Sequence, residues 1–481
     1  MIKTDVVVCG GGTAGVVVAA ELVAAGRRVL VLEAGPDYGS YASGRWPREL
    51  VDSATIPETH DWGYRAGDDL PGRDLPYERA RVIGGCSAHN GCTVCWGHRA
   101  GYDGWGLPGW SADELLPLFE QASERMRVRR FADDDLTPLH RGFIDAGLAL
   151  GLPAVDDLDD LDGVPGVGSQ PSNSPDGVRW NTAFAFLDAV RDRPELEIRD
   201  RALVDRLLVE AGRVVGVRAI VDGRPLEVGA DTVVLAAGVY GTPPVLLRSG
   251  IGPVAHLREL GIEVVADNPG VGANLHDHPS SRIVLRASDG LLERTAAFAA
   301  PGRRVPDEQS FIKIASSLSA DGGFDLHLFT VPEEDDCVEI FIANVDPRSR
   351  GTVRLASRDP EAAPLLDHGF LTDPEGRDLA VLVEGVELAR ELIARPEFGD
   401  LLGEEVEPGA GLRGPDAVRE RVVHYWHPVG SCAMGIACDE RGRLHGVDGL
   451  VVADGSLFPQ TPRATTNIPT VVAALRIAGW L

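Results

Sequence analysis

The sequence predicts an α/β protein with a Rossmann-like parallel sheet at its N-terminus, and three observations carry that prediction. Asp5-Val6-Val7-Val8-Cys9 is a short apolar, β-branched run of the kind that forms a buried parallel strand. Gly10-x-Gly12-x-x-Gly15 follows at once and opens a helical stretch from about Ala14 to Ala25, closed by Gly26. A second apolar run, Val29 to Leu32, then ends on Glu33. Strand, glycine turn, helix, strand and acid in that order make a dinucleotide-binding unit. Gly10 permits the tight turn, Gly12 lets the backbone approach a pyrophosphate, and Gly15 lets helix and strand pack closely. Unpaired N–H groups at the helix start face the phosphates, and Glu33 is placed to accept from a ribose hydroxyl. The motif alone does not separate FAD from NAD.

Composition bounds the rest. The chain has 481 residues, with 73 acidic and 46 basic side chains and a formal net charge of −27. That balance excludes a protein built around nucleic acid or an anionic membrane surface. A hydrophobic content of 44% supports large cores, and the length implies more than one domain. Seven cysteines are no disulfide framework, and the odd count fits a reducing, cytoplasmic setting. Val6 to Ala20 is uncharged and follows Lys3, loosely like a secretory signal, but Asp5 and the central glycines read as folded protein. No apolar run reaches the ~18 residues of a membrane span. The 57 glycines and 33 prolines show no collagen period and have to be placed individually.

Further motifs do that placing. Arg81-Val82-Ile83-Gly84-Gly85-Cys86-Ser87-Ala88-His89-Asn90-Gly91 is a second glycine-centred loop. Asp231 to Ala237 is an apolar run ending at Gly238, as a further parallel strand would, and Gly238-Val239-Tyr240-Gly241-Thr242-Pro243 follows it. Tyr425-Trp426-His427-Pro428-Val429-Gly430, Val452-Ala453-Asp454-Gly455-Ser456 and Thr466-Asn467-Ile468-Pro469-Thr470 occupy the C-terminal part. With Leu32-Glu33-Ala34-Gly35-Pro36, and Val271-Gly272 before Asn274-Leu275 and Asp277-His278, these resemble the glucose–methanol–choline (GMC) family of FAD-dependent alcohol oxidoreductases. The likeness runs in one order from residue 5 to residue 478.

The resemblance implies a discontinuous layout. A Rossmann-like FAD-binding domain would take residues 1–140, 181–285 and 421–481, interleaved with a substrate-binding domain of residues 141–180 and 286–420. Within the latter, Phe311-Ile312-Lys313-Ile314, Asp325 to Phe329 and Val338 to Ile342 read as strands of an antiparallel sheet walling a substrate cavity. The cofactor would be FAD, held by Gly10, Gly12, Thr13, Ala14, Gly15, Glu33, Ala34, Arg81, Gly84, Gly85, Ser87, His89, Asn90, Gly91, Val204, Asp454, Gly455, Asn467, Ile468 and Thr470. His427 maps onto the catalytic histidine, whose ordinary pKa near neutrality suits a base, and Asn467 onto its partner, which can donate to the alcohol oxygen. Pro469 is tolerated in the first turn of the final helix, whose amides can face reduced flavin. His89 stands where one branch of the family bonds the flavin covalently.

The chain departs from that branch in places. Asp346 replaces a second active-site histidine, Gly91 replaces a serine, and the segment between Asp325 and Arg348 is shorter. These changes put a quaternary-ammonium pocket in doubt. Glu333 to Asp336 are read as a solvated acidic run, and Arg463 as an anion contact or a surface ion pair. Cys92 and Cys95 read as small buried hydrophobes. His276-Asp277-His278 lacks a third ligand, so no metal is expected. The implied activity is oxidation of a small-molecule alcohol by hydride transfer to flavin N5, with reoxidation by O2 giving hydrogen peroxide. A dehydrogenase using another acceptor and a hydroxynitrile-lyase-like, non-redox member are the alternatives. The resemblance leaves a homodimer open.

Overall fold

The runs read as buried strands meet side by side in one sheet. The structure, a computed structural model, describes residues 2–65, 75–300, 302–319 and 322–481. Strand Ile2–Cys9 is buried over Val6 to Cys9 because both its faces are covered, which is why its apolar residues run without alternation. It pairs in parallel with Val29–Leu32 on one edge and with Arg224–Leu235 on the other. Leu196–Arg199 adds to the outer edge of Val29–Leu32, and Leu450–Val452 adds beyond Val233 to Leu235. Numbered along the chain, the parallel strands stand in the order 3-2-1-4-5, that of doubly wound nucleotide folds. Strand order reverses between Ile2–Cys9 and Arg224–Leu235, so the turns at Gly10 and Gly238 flank the crevice where such sheets bind ligands. Strands Ala202–Glu210 and Arg213–Val221 continue antiparallel from the first half of Arg224–Leu235. Helix Thr13–Ala24 packs against the final helix, Asn467–Ala478.

The second sheet is antiparallel, as the resemblance implied. Its six strands run in the order Leu402–Glu407, Ser280–Ala287, Cys337–Asn344, Leu326–Glu333, Ser310–Ile314 and Gly166–Ser169. Strand Ser280–Ala287 joins this sheet and so straddles the expected boundary at residue 285. Alternation sorts its side chains to two faces. Ile283, Ile312, Leu328, Ile340 and Ile342 pack with residues of helices Pro138–Ala149 and Arg377–Ile393 in one core. Phe311, Phe329 and Phe341 lie on the opposite face, in a separate cluster with Cys95, Tyr425 and Ala464. That aromatic face looks toward the loops of the nucleotide sheet.

In sequence Arg125, Arg127, Arg129 and Arg130 read as a solvated helix end answered by Asp133, Asp134 and Asp135, but the structure gives them other partners. Arg125 pairs with Glu21 at 2.5 Å and Arg127 lies 3.6 Å from the Trp180 ring centroid. Arg129 and Arg130 pair with Asp176 and Asp157, not with the Asp133 to Asp135 run. No helix among the described residues is long and apolar enough to cross a membrane.

Candidate active site

At the nucleotide end, two glycine loops lie backbone on backbone. A Cβ on Gly15 would stand 1.8 Å from the Gly10 carbonyl oxygen, so only glycine lets the helix start this close to the strand end. Gly85, at φ 53°, would place a Cβ 2.6 Å from Gly12 Cα. Gly84 N donates to the Gly11 carbonyl at 2.7 Å, and Ser87 N to Thr13 Oγ1 at 3.2 Å. The Gly12 N-cap position offers no side-chain cap, so the helix start keeps its amides for a ligand. Glu33 closes this end: one carboxylate oxygen accepts from Gly11 N at 2.7 Å and the other from Gly35 N at 2.7 Å. Burial pushes its carboxyl up to about 7, against those amides and Arg81, which pull it down. Ala202 N donates to the Glu33 carbonyl at 2.8 Å, which brings Val204 alongside.

The catalytic end is built from three chain segments. The stretch His276 to Ser280 pairs antiparallel with Val423 to Val429, through bridges at His276↔Val429 and Ser280↔Val423. Between those bridges Asp277 accepts from His427 N at 3.0 and 3.1 Å through its two oxygens, and from His278 N at 2.7 Å. His278 Nδ1 lies 3.3 Å from His427 Nδ1, so the two rings share one proton. Trp426, just before His427, sits in the left-handed region at φ 59°, which an aromatic residue adopts only when held there. Arg79 donates to its carbonyl at 3.0 Å and its indole N–H donates to Glu78 at 2.8 Å. Burial, then the neighbouring His278 and Arg79 charges, hold the His427 pKa well below the usual histidine value. Burial takes His278 down to about 3 and raises Asp277 to about 6. His427 is therefore a neutral imidazole.

Asn467 opens the final helix after Thr466, and both polar atoms of its side chain are buried without a partner. Gly455 lies between this helix and the loop after His427. A Cβ there would lie 3.5 Å from Thr470 Oγ1, 3.5 Å from a Val239 methyl and 4.0 Å from the Pro428 carbonyl. Gly430 N also donates to the Gly455 carbonyl at 3.2 Å. The Asp454 carboxylate accepts from Gly238 N at 2.9 Å, Thr242 Oγ1 at 2.6 Å and Ser456 N at 2.8 Å. Its side chain is a brace between the two turns, leaving the backbone of this segment to face a ligand. The Ser87 hydroxyl is consumed similarly, by the Gly84 carbonyl at 2.6 Å and Thr182 Oγ1 at 2.9 Å. Ile468 is buried, and the Thr470 hydroxyl donates to the Thr466 carbonyl at 2.7 Å.

His89 lies buried with Nε2 2.8 Å from the Thr59 carbonyl, which can only accept, so Nε2 carries the proton. Burial lowers its pKa and keeps it neutral. Arg81 lies 4.5 Å from the Trp62 ring centroid, and its carbonyl is 2.0 Å from where a Gly35 Cβ would stand. The carbonyl of Asn90 accepts from Arg179 at 2.9 Å. A Cβ on Gly91 would meet Glu308 at 2.4 Å; Glu308 accepts from the Thr93 hydroxyl, and burial pushes its carboxyl up to about 7.

Sequence reasoning passed over several of these groups. Asp277 and His278 stood inside a quoted motif but were given no role. Glu308, in a polar stretch ahead of strand Ser310–Ile314, and His327, a polar residue between two leucines of a strand, carried no further local signal. Asp346 and Arg463 pair with each other at 3.4 Å inside the protein, so Arg463 answers a buried acid and not a surface one. Cys92 and Cys95 are buried, and burial raises both thiols to about 11. Among the described residues no group of three acidic, histidine or cysteine side chains is arranged to hold a metal.

Comparison with known proteins places this geometry. The family described as GMC oxidoreductase matches residues 4–280 through its N-terminal part and residues 347–474 through its C-terminal part. Choline oxidase of Arthrobacter globiformis is 31% identical, over 98% of this chain and 93% of its own. Oxygen-dependent choline dehydrogenase of Photobacterium profundum is 30% identical, over 98% and 92%. Among solved structures, pyridoxine 4-oxidase from Mesorbium loti superposes with a TM-score of 0.88 at 27% identity, covering 99% of both chains.

Proposed function

The chain belongs to the GMC oxidoreductase family of FAD-dependent enzymes acting on CH–OH groups, and on that premise we propose that it is an alcohol oxidase with His427 as base and Asn467 as its partner. The residues present fit FAD: the uncapped helix start at Gly12 suits a pyrophosphate, and the orphaned Asn467 amide suits a polar group at the reacting end. The Asn467 side chain, buried and unpartnered at the opening of the helix whose Thr470 adjoins Gly455, is the observation that carries the reading. FAD, when bound, supplies the hydride acceptor and returns the electrons to dioxygen as hydrogen peroxide. Asp277 fixes the His427 main chain. With the shared proton on His427 Nδ1, Nε2 keeps its lone pair and takes the hydroxyl proton of the alcohol. Asn467 Nδ2 donates to the alcohol oxygen as charge builds there. A panel of alcohols assayed in air tests the oxidase assignment. Peroxide formed in step with the carbonyl product is expected, and turnover only with an added electron acceptor makes the enzyme a dehydrogenase.

Two further roles belong to this reading. His89 is proposed as the covalent flavin link, supported by its neutral ring with a lone pair left on Nδ1. Acid-precipitated wild-type protein is then expected to stay yellow, and His89→Asn to release all its FAD to the supernatant. Colourless wild-type precipitate refutes the link. Glu33 is proposed to accept from the ribose. Its raised carboxyl implies a sign: the ionised, accepting form is lost as pH falls through about 7. In apo protein of the noncovalent His89→Asn variant, FAD affinity is expected to weaken up to tenfold per pH unit below that point. Glu33→Gln should bind more weakly with no such slope, and an equal slope in both removes Glu33 from the role. The division into residues 1–140, 181–285 and 421–481 against 141–180 and 286–420 is proposed with this function, supported by the separate sheets and cores. A reducing, cytoplasmic setting is likewise supported by seven free thiols.

A further inference from the structure

His327 is fully buried, and neither of its ring nitrogens has a hydrogen-bond partner. A neutral imidazole carries one donor and one acceptor, and folded proteins rarely leave both unmet inside. Its place in the fold makes the vacancy meaningful. His327 lies on strand Leu326–Glu333, opposite Lys313 on one side and Ala343 on the other. By strand alternation it shares the aromatic face with Phe329, away from the helices. Its ring stands 4.6 Å from Phe311 and 5.4 Å from Phe324, and 6.5 Å from Tyr425, which is itself 4.5 Å from His427. One ring thus separates it from the proposed base. Burial, then the Lys313 charge, hold its pKa well below the usual value, so the ring is neutral.

We propose that His327 recognises the substrate, its ring nitrogens binding a second polar group on a flat aromatic alcohol whose CH–OH carbon meets His427. The proposal rests on the alcohol-oxidase reading. The neighbouring rings favour a flat partner: Phe311, Phe324, Phe329, Phe341 and Tyr425 gather on this face in one aromatic cluster. The charge at this end disfavours a cation. Lys313 Nζ sits 4.9 Å from the Phe324 ring centroid, next to His327, where a quaternary ammonium would be repelled. A phenolic hydroxyl or a ring heteroatom supplies the donor or acceptor that the imidazole lacks.

Benzyl alcohol, 3- and 4-hydroxybenzyl alcohol, pyridoxine and choline, given to the holoenzyme, test this. Wild type is expected to favour at least one hydroxylated ring over benzyl alcohol by about tenfold or more in kcat/KM. His327→Leu should bring that ratio near one through loss on the hydroxylated substrate. His327→Gln, which keeps a donor and an acceptor, should retain the preference, and it replaces the leucine variant if that one does not bind FAD. A wild type without the preference, or a ratio unmoved in His327→Leu, overturns the proposal and leaves the imidazole holding water only. Turnover of choline but of no aromatic alcohol also overturns it while alcohol oxidation stands. If no alcohol of any kind reduces the flavin, the functional reading itself fails.

Discussion

Replacing His427 with alanine is expected to leave a folded, yellow protein whose flavin is reduced by alcohol about 10²–10⁴-fold more slowly. The size follows from the loss of a positioned base, and the retained fold follows from how that base is mounted. His427 is anchored by its backbone amide on Asp277, not by its ring, so the anchor survives truncation. The loop around it keeps the bridges at His276↔Val429 and Ser280↔Val423. Rapid-mixing reduction under anaerobic conditions measures the effect, and a rate within a few fold of wild type removes His427 from the role. His278→Ala should be milder, because it removes only the ring that shares the Nδ1 proton.

Asp346→Ala is expected to destabilise the fold by about 3–5 kcal/mol, because it removes the carboxylate from a buried ion-pair cluster. Asp346 is 2% exposed and pairs with Arg348 at 3.1 Å, Arg377 at 3.4 Å and Arg463 at 3.4 Å. Arg463 and Arg377 are themselves poorly exposed; Arg377 retains Asp325 at 2.9 Å, whereas Arg463 loses this carboxylate. Gln460 also donates to Asp346, so the residue pins the segment that leads into Asn467. A fall in kcat should therefore accompany the loss of stability. Denaturant unfolding of wild type and variant checks the figure, and a difference under about 1 kcal/mol contradicts the account. Asp346→Asn, which keeps the hydrogen bond and loses the charge, should fall between the two.

The nucleotide unit was legible because its glycines, helix and acid follow one another in a short, recognisable order. Gly15 is set by a contact only five residues away, its approach to the Gly10 carbonyl, whereas Gly10 and Gly12 meet Ala236 and Gly85 from distant segments that the motif does not reveal. The strands of the second sheet were legible too, since Phe311 to Ile314 and Val338 to Ile342 are short, mostly apolar runs rich in β-branched and aromatic residues. What alternation cannot say is which face looks at a site. His327 therefore gave no sign in the sequence, although its neighbours Leu326 and Leu328 marked the strand. The Asp346–Arg463 pair was hidden for another reason: its partners come from different chain segments, and only folding brings them to 3.4 Å. Ser87 and Asp454 were read as cofactor contacts from their motifs. Their side chains are spent on Thr182, Gly238 and Thr242, a bracing role that the motifs do not reveal.

We propose that this chain oxidises an alcohol by passing hydride to its bound flavin while His427 removes the proton. Anaerobic mixing of the holoenzyme with the alcohol panel, followed by absorbance, tests it most directly. The account predicts that at least one alcohol bleaches the flavin and that admitting air restores the yellow colour with hydrogen peroxide formed. A flavin that no alcohol bleaches, in a protein that cleaves a cyanohydrin instead, would contradict it.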